Sequence, residues 1–265
     1  MLEDLVSGRI STEEAERLIR ARDAERLGEF AVLDLQRQER TGVPEVILAE
    51  WKDESHLVSI AETVVKRNGF ALLTRVSRSK RDRILEELSH LRYEVSGSGD
   101  HLTMLLHSSD WSPPQRAGRI AVMTAGTSDK PYADEVKATA EVMGVEVVTF
   151  RDVGVAGIHR LLEPLATIAK MDVDALVVLA GMEGALPTVV ASLVDLPVIG
   201  LPVPTGYGLG GKGKTALASM LQSCVPGLAV VNIGNGVGAG ALAALIAKRC
   251  ARYRKREDQS QTSQC

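Results

Sequence analysis

The chain has 265 residues, enough for one large domain or a medium domain with a smaller companion, and long enough to bury a sizeable core. Hydrophobic residues make up 45% and charged residues 25%, which excludes wholesale disorder. Lysines and arginines number 31 against 34 aspartates and glutamates, a formal net charge of -3, so no bulk field draws the chain onto nucleic acid or a membrane surface and neither partner is expected. Cys224, Cys250 and Cys265 are too few and too far toward the C-terminus for a disulfide framework or a clustered metal site, which fits a reducing compartment. The opening MLEDLVSGRIS has no basic segment followed by an apolar core, and no apolar run reaches the roughly 18 residues of a membrane span. A soluble, cytoplasmic protein is the expectation.

Residues 1 to about 28 read as short charged helices: Leu2, Leu5 and Val6 share a face, and Ser11 precedes Glu14 in a capping-box pattern. From Phe30 to His107, AVLDL, VPEVILAE and FALLTRV read as short strands, with helices over 55–67 and 78–89, a small α/β module. SSDWSPPQRAG (108–118), with two consecutive prolines and no periodicity, reads as a linker. Beyond it the rhythm becomes regular. RIAVMT, VEVVTF, ALVVLA, LPVIGLPV and LAVVNI alternate with helix-period segments at 131–143, 155–170, 184–194, 212–224 and 238–251, which makes five β-α units in sequence. Continuous Val/Ile/Leu strands imply that both sheet faces are covered, as in a doubly wound parallel sheet of the three-layer flavodoxin or Rossmann kind. The expected division is therefore an N-terminal helical and small α/β module (1–107), a linker, an α/β domain (119–251) and a disordered polar tail (252–265).

In such sheets ligands sit outside the carboxyl ends of the strands, which directs attention to the loops TAGTSDK, RDVGVAG, AGMEGALP, VPTGYGLGGKG and IGNGVGAG. Gly126, Thr127, Ser128 and Asp129 follow the first strand of the series and precede a helix, so their backbone N–H groups and hydroxyls form a candidate phosphate cradle; the alternative is that Ser128 or Asp129 only caps the helix. Glu183, flanked by Gly181, Met182 and Gly184, is either a carboxylate stabilised by a helix dipole or a proton acceptor at the sheet's carboxyl edge. Gly208 to Thr215 matches the P-loop pattern literally, with Lys214 and Thr215 in the phosphate and magnesium positions. Its context argues against that reading, because Pro202, Pro204 and Thr205-Gly206-Tyr207 separate it from its strand and LAVVNIGNG ends in Asn and Gly where a metal-binding Asp is needed. Cys224 ends a helix, where the dipole has the wrong sign to depress a thiol pKa, so by residue physics alone it is a packing residue. His159 is either a proton shuttle or a capping residue. Arg75 stands at a strand end, where an arginine is a solvated charge or a clamp for phosphate or carboxylate.

Taken together, TAGTSDKPYADE, FRDVGVAGIHRLL, AGMEGALPTVVASL, PVIGLP, GYGLGGKG, MLQSCVPGLAVVNIGNG and GAGALAA closely resemble the LarB family of nickel pincer cofactor biosynthesis proteins, whose C-terminal domain is similar to the aminoimidazole ribonucleotide carboxylases, the PurE family. DLQRQERTGVPEVILAE and LLTRV extend the resemblance into the first module, so that it covers most of residues 30–248. It implies a pyridinium-3,5-biscarboxylic acid mononucleotide synthase, which carboxylates the pyridinium ring of nicotinic acid adenine dinucleotide with carbon dioxide and cleaves the phosphoanhydride to release AMP. On that resemblance Cys224, in the pair with Ser223, is the nucleophile that adds to the ring, and Glu183 is the base that removes the ring proton. Ser128 and Asp129 then match the phosphate and ribose loop of the carboxylase relatives, His159 matches their AHR-type histidine, and Gly181, Met182, Gly206, Tyr207 and Gly208 fall in the substrate loops.

Two departures stand out: Pro204 occupies a position where the family commonly has serine, and Gly234 replaces the usual aspartate of VNIDNG. The carboxylase relatives imply a homo-octamer. No tightly bound cofactor is expected, carbon dioxide or bicarbonate serves as co-substrate, and magnesium is left open because no His/Cys/Asp cluster has ligand spacing. The alternatives are an aminoimidazole ribonucleotide carboxylase, which does not need Cys224, and a non-catalytic nucleotide-binding module.

Overall fold

A computed structural model describes residues 2–15, 24–29, 31–34 and 36–262. At the N-terminus α1 (Leu2–Val6) is followed by a turn in which Ser11 Oγ accepts the Glu14 N–H at 3.1 Å. β1 (Ala24–Leu27) and β2 (Ala31–Asp34) form an antiparallel pair, and α2 (Arg37–Thr41) leads to β3 (Val46–Leu48). α3 (Glu54–Asn68) begins at Asp53, whose carboxylate accepts the Ser55 N–H at 2.9 Å, and ends at Gly69 with φ +81°. It delivers the chain into β4 (Phe70–Val76), which runs to α4 (Arg78–Glu87) and then to the hairpin β5 (Arg92–Ser98) and β6 (His101–His107). The resulting sheet has the order β3-β4-β6-β5, parallel between β3 and β4 and antiparallel elsewhere.

The hairpin was not foreseen. β5 is an edge strand whose side chains are almost all exposed, so it lacks the hydrophobic alternation that marks a half-buried strand. Gly97 and Gly99, both at positive φ, also make the segment look like a loop.

The second part is the expected parallel α/β domain. β7 (Arg119–Thr124), α5 (Lys130–Val142), β8 (Glu146–Phe150), α6 (Leu162–Ile168), β9 (Ala175–Ala180), α7 (Ala185–Ala191), β10 (Val198–Pro202), α8 (Lys214–Leu221), β11 (Leu228–Val230) and α9 (Gly236–Thr262) alternate along the chain. The five strands are all parallel in the order β11-β10-β9-β7-β8. α5 and α9 cover one face through Val136, Ala140, Ala243 and Ala247, while α7, α8 and the segment around Leu161 and Ile168 cover the other. β9 is buried at every position, which is why its sequence ALVVLA does not alternate.

Residues 252–262 depart from the expectation of a disordered tail, since α9 continues through them to Thr262. Arg254 gives that extension an anchor: its Nη1 donates to Asp174 Oδ1 at 2.7 Å, and Asp174 is only 6% exposed. Cys265, to which no role was assigned, lies outside the described residues.

The two parts share a core. The face of the four-stranded sheet turned away from α3 and α4 packs on α5, where Phe70, Leu72 and Val142 are buried with Val46, Leu105 and Ala138 around them. Polar contacts accompany the packing. Glu135 of α5, with its side chain 1% exposed, meets Arg75 Nε at 3.4 Å and His101 Nε2 at 2.7 Å, both from the N-terminal part. The Gly97 N–H donates to Asp134 Oδ2 at 2.8 Å. No helix among the described residues is long and apolar enough to cross a membrane.

Candidate active site

Because β8 and β9 lie on opposite sides of β7, the chain reverses its direction of winding at β7, and the loops after β7 and β9 part there. Such a switch point opens a crevice at the carboxyl edge of the sheet. Here it is a cleft of about 370 Å³ walled by the loops that follow β7, β8, β9 and β10.

Asp129 forms its floor. The residue is 2% exposed; its Oδ2 accepts the Gly126 N–H at 2.9 Å and its Oδ1 accepts the Thr205 hydroxyl at 3.0 Å. Burial pushes the Asp129 carboxyl above the ordinary aspartate range, while the amides of Gly126 and Ala125 and the Thr205 hydroxyl pull the other way. The loop is therefore not an empty anion cradle, since a carboxylate of the chain already takes its first amide. Ser128 lines the cleft beside Asp129, whereas Thr127 is exposed and does not line it.

The opposite wall is the turn after β9. Met182 adopts φ +49° and donates its N–H to the Thr205 carbonyl at 3.0 Å, so the β9 and β10 loops are stitched together at this point. Gly181 is required for the seam: a Cβ there would lie 2.1 Å from the Thr205 carbonyl oxygen. Gly184, at φ +68°, then lets α7 start with its backbone against Ala216. Between these glycines Glu183 is exposed to the cleft and lines it with Met182, Gly206 and Tyr207.

Of the β8 loop, Arg160 rather than His159 faces the cleft. His159 is exposed on the neighbouring position of the Val155–Leu161 turn. Arg160 pairs with Asp152 at 3.0 Å and donates to the carbonyls of Gly154 at 3.3 Å and Gly157 at 3.4 Å. Asp152, at φ +56°, is held by its N–H donating to Thr124 Oγ1 at 3.3 Å. Thr205 and Arg160 were not singled out from the sequence. The signal for Arg160 was its place in the glycine-spaced RDVGVAGIHR loop, and Thr205 carried none beyond the turn PTGYG.

Arg75 is not in the cleft. It sits at φ +54° where β4 loses register with β6, and its guanidinium is divided among Glu50 at 3.2 Å, Glu135 at 3.4 Å and the Gly234 carbonyl at 2.6 Å. It clamps the N-terminal sheet to α5 and to the loop after β11. Gly208 does not line the cleft either, and Lys214 is exposed at the start of α8. β10 ends at Pro202, well before Gly208, so the glycine-rich segment lacks the strand-to-helix geometry of a P-loop.

Cys224 stands at the other edge of the sheet. α8 runs back from the cleft side, and Cys224 follows it just before β11, whose first residue Leu228 pairs with Val198, itself opposite Leu176 near the start of β9. Glu183 lies three residues past the end of β9, so roughly 13 Å of strand, at about 3.3 Å per residue, separates the two edges. The thiol is exposed, and Ser223 Oγ beside it accepts the Val225 N–H at 3.3 Å. Within one chain, Glu183 and Asp129 share the cleft and Cys224 does not join them. No group of three or more His, Cys, Asp or Glu among the described residues is placed to hold a metal ion.

Comparison with known proteins agrees with this architecture. Residues 119–264 match the AIR carboxylase family and residues 24–98 match the LarB/PurE-like N-terminal domain. An uncharacterised protein of Methanocaldococcus jannaschii is 43% identical over 243 residues, covering 91% of this chain and 93% of that protein. The N5-carboxyaminoimidazole ribonucleotide mutases of Aquifex aeolicus and M. jannaschii are 31% and 34% identical, each covering 48% of this chain and 75% of the mutase. The chain thus belongs to the AIR carboxylase family and carries a LarB/PurE-like N-terminal domain ahead of its parallel α/β domain.

Proposed function

We propose that the protein is a pyridinium-3,5-biscarboxylic acid mononucleotide synthase acting on nicotinic acid adenine dinucleotide and carbon dioxide. The observation that carries this reading is the position of Glu183, an exposed carboxylate on the GMEGALP turn, in a cleft whose chain also bears the LarB/PurE-like N-terminal domain. An electron-poor pyridinium carbon does not attack carbon dioxide. Addition of a thiolate to the neighbouring ring carbon removes the aromaticity and places an electron pair on C5. C5 then bonds to carbon dioxide, Glu183 takes the C5 proton, and the electrons of that C–H bond restore the ring as the C–S bond breaks and the thiolate leaves. Hydrolysis of the phosphoanhydride adds one water and releases AMP. On this reading the Ser128 turn takes the ribose and phosphate, and buried Asp129 shapes that end of the cleft through its bonds to the Gly126 N–H and the Thr205 hydroxyl.

This chemistry needs Cys224 at the cleft, and the fold puts it at the opposite edge, so a second copy of the chain must supply it. Met182, Tyr207 and Leu209 are large apolar side chains exposed around the cleft, and Leu221 is exposed beside Cys224, which suits a homo-oligomer such as an octamer. The test is mass spectrometry after incubation with nicotinic acid adenine dinucleotide and labelled bicarbonate. AMP and a labelled biscarboxylated mononucleotide are expected, with loss of at least about a thousandfold in Cys224→Ala and in Glu183→Gln. Mixed assemblies of the two variants should regain activity at about a quarter of their sites, because some sites then combine an intact Glu183 with an intact Cys224 from another copy. Full activity in Cys224→Ala overturns the reading.

A second reading, carboxylation or carboxyl shift on aminoimidazole ribonucleotide, is favoured by the mutase names of the relatives over the parallel domain. It leaves the N-terminal domain and Glu183 without a task, and turnover of that ribonucleotide in the same assay would establish it.

A further inference from the structure

One bond in the cleft joins loops whose strands are not neighbours. In the sheet order β10-β9-β7, two strand spacings, about 10 Å, part the end of β10 from the end of β7. Thr205, three residues past β10, nevertheless donates its hydroxyl to Asp129 Oδ1 at 3.0 Å, across the loop that leaves β9. The first residue of that loop is Gly181, and a Cβ on it would stand 2.3 Å from the Thr205 hydroxyl oxygen. Glycine at this position therefore leaves the passage through which the hydroxyl reaches the β7 wall.

Thr205 serves both walls at once. Its carbonyl accepts the Met182 N–H at 3.0 Å, and Met182, at φ +49°, leads directly into Glu183. A left-handed conformation at a residue other than glycine persists only where the surroundings hold it, and the Thr205 carbonyl is part of that hold. Its hydroxyl does the same for Asp129. Oδ2 of that buried carboxyl is taken by the Gly126 N–H, and among the described residues Thr205 is the one side chain that donates to it. Without the hydroxyl, Oδ1 would be left unpaired below the cleft, and turning toward the cleft is the way for it to reach water.

We propose that Thr205 is a positioning residue for substrate binding: its hydroxyl draws the Asp129 carboxyl down and away from the incoming ribose phosphate, while its carbonyl keeps the Glu183 turn in register with that end of the cleft. The inference rests on the site proposed above. A freed Asp129 would set a carboxylate against a phosphate in a space partly shut off from water, where repulsion between like charges is screened less than in solution. The hydroxyl therefore governs affinity for the phosphate-bearing end of the substrate, and the backbone carbonyl, which no side-chain change removes, governs the placement of Glu183.

The experiment compares the full-length parent with Thr205→Val, which keeps the shape and the carbonyl but loses the hydroxyl, and with Thr205→Ser, which keeps the hydroxyl. Calorimetry with ribose 5-phosphate as the probe reads affinity without turnover, and steady-state kinetics with nicotinic acid adenine dinucleotide separates KM from kcat. Affinity for the probe is expected to fall by about tenfold in Thr205→Val, with a rise in KM that exceeds any fall in kcat, and to return to within about threefold of the parent in Thr205→Ser. In an Asp129→Ala background Thr205→Val should cost nothing further, because the hydroxyl acts through the carboxyl; if Asp129→Ala does not fold, the two Thr205 variants decide the matter. No binding of the probe by the parent, equal binding by Thr205→Val, no recovery in Thr205→Ser, or additive losses in the double variant overturns the proposal. Hydroxyl-dependent binding of ribose 5-phosphate by a protein inert toward the dinucleotide would keep the role of Thr205 and reject the reaction. Turnover of the dinucleotide with an unchanged KM in Thr205→Val would keep the reaction and reject the role.

Discussion

The five-stranded sheet is covered on both faces by helices of its own domain, whereas the four-stranded sheet is covered on one face by α3 and α4 and on the other by α5, which belongs to its neighbour. α5 is thus a shared layer with two apolar sides: Val136 and Ala140 face β7 and β9, and Ala138 and Val142 face β4 and β6. That arrangement explains why mutase relatives can match the parallel domain alone, while the N-terminal sheet has half of its burial supplied from outside. It also means that the helix which begins at the Asp129 turn, and so positions the cleft floor, bears the packing of the N-terminal domain.

The sharpest way to break this comparison is excision. A fragment of residues 24–107 exposes Phe70, Leu72 and Leu105 together, and burying such side chains contributes about 1.5–3 kcal/mol each, a large share of a small domain's stability. It is expected to show no cooperative thermal transition by circular dichroism; a sharp transition would show that the domain stands alone.

Arg75→Ala addresses the polar half of the same interface with a smaller effect. It leaves Glu135 buried with His101 as its remaining partner and frees the Gly234 carbonyl, for a cost of about 2 kcal/mol in urea denaturation. Because Arg75 touches the interface and not the cleft, the loss should appear in stability and in the coupling of the two domains' unfolding. A variant as stable as the parent would remove the clamp from the account.

The smallest expected effect belongs to Asp129→Asn. Burial raises the pKa of this carboxyl, so the stability it contributes is complete below the ordinary aspartate value, about 3.9, and is lost as pH rises through its raised value in the folded protein. The stability of Asp129→Asn relative to the parent should therefore improve as pH rises from 4 to 7, measured by urea denaturation. An opposite slope would mean that the Gly126 amide and the Thr205 hydroxyl outweigh burial.

How much of this was legible before the structure depended on burial. β4, β7 and β9 lie inside their sheets and their apolar runs, FALLTRV, RIAVMT and ALVVLA, mark them from end to end. β5, an exposed edge strand with a glycine at its turn, carries no such run. The same contrast holds at the site. Gly126, Ser128, Asp129, Gly181, Met182 and Glu183 were visible because loops at strand ends announce themselves through glycine and polar residues, and all of them line the cleft. Arg75 and His159 looked equally suitable in sequence, yet one is drawn into the domain interface by Glu135 and the other is turned outward by the register of a 3-10 turn.

The sequence by itself determined the doubly wound parallel sheet, its five β-α units and the loops at its carboxyl edge, because hydrophobic periodicity and glycine placement are local properties that act over a few residues. Only the tertiary structure decided that Asp129 fills its own amide cradle, that α5 serves two sheets, that Arg160 faces the cleft and that Cys224 stands at the far edge from Glu183. These depend on which elements meet across long stretches of chain, and that is set by packing and charge pairing between segments far apart in sequence.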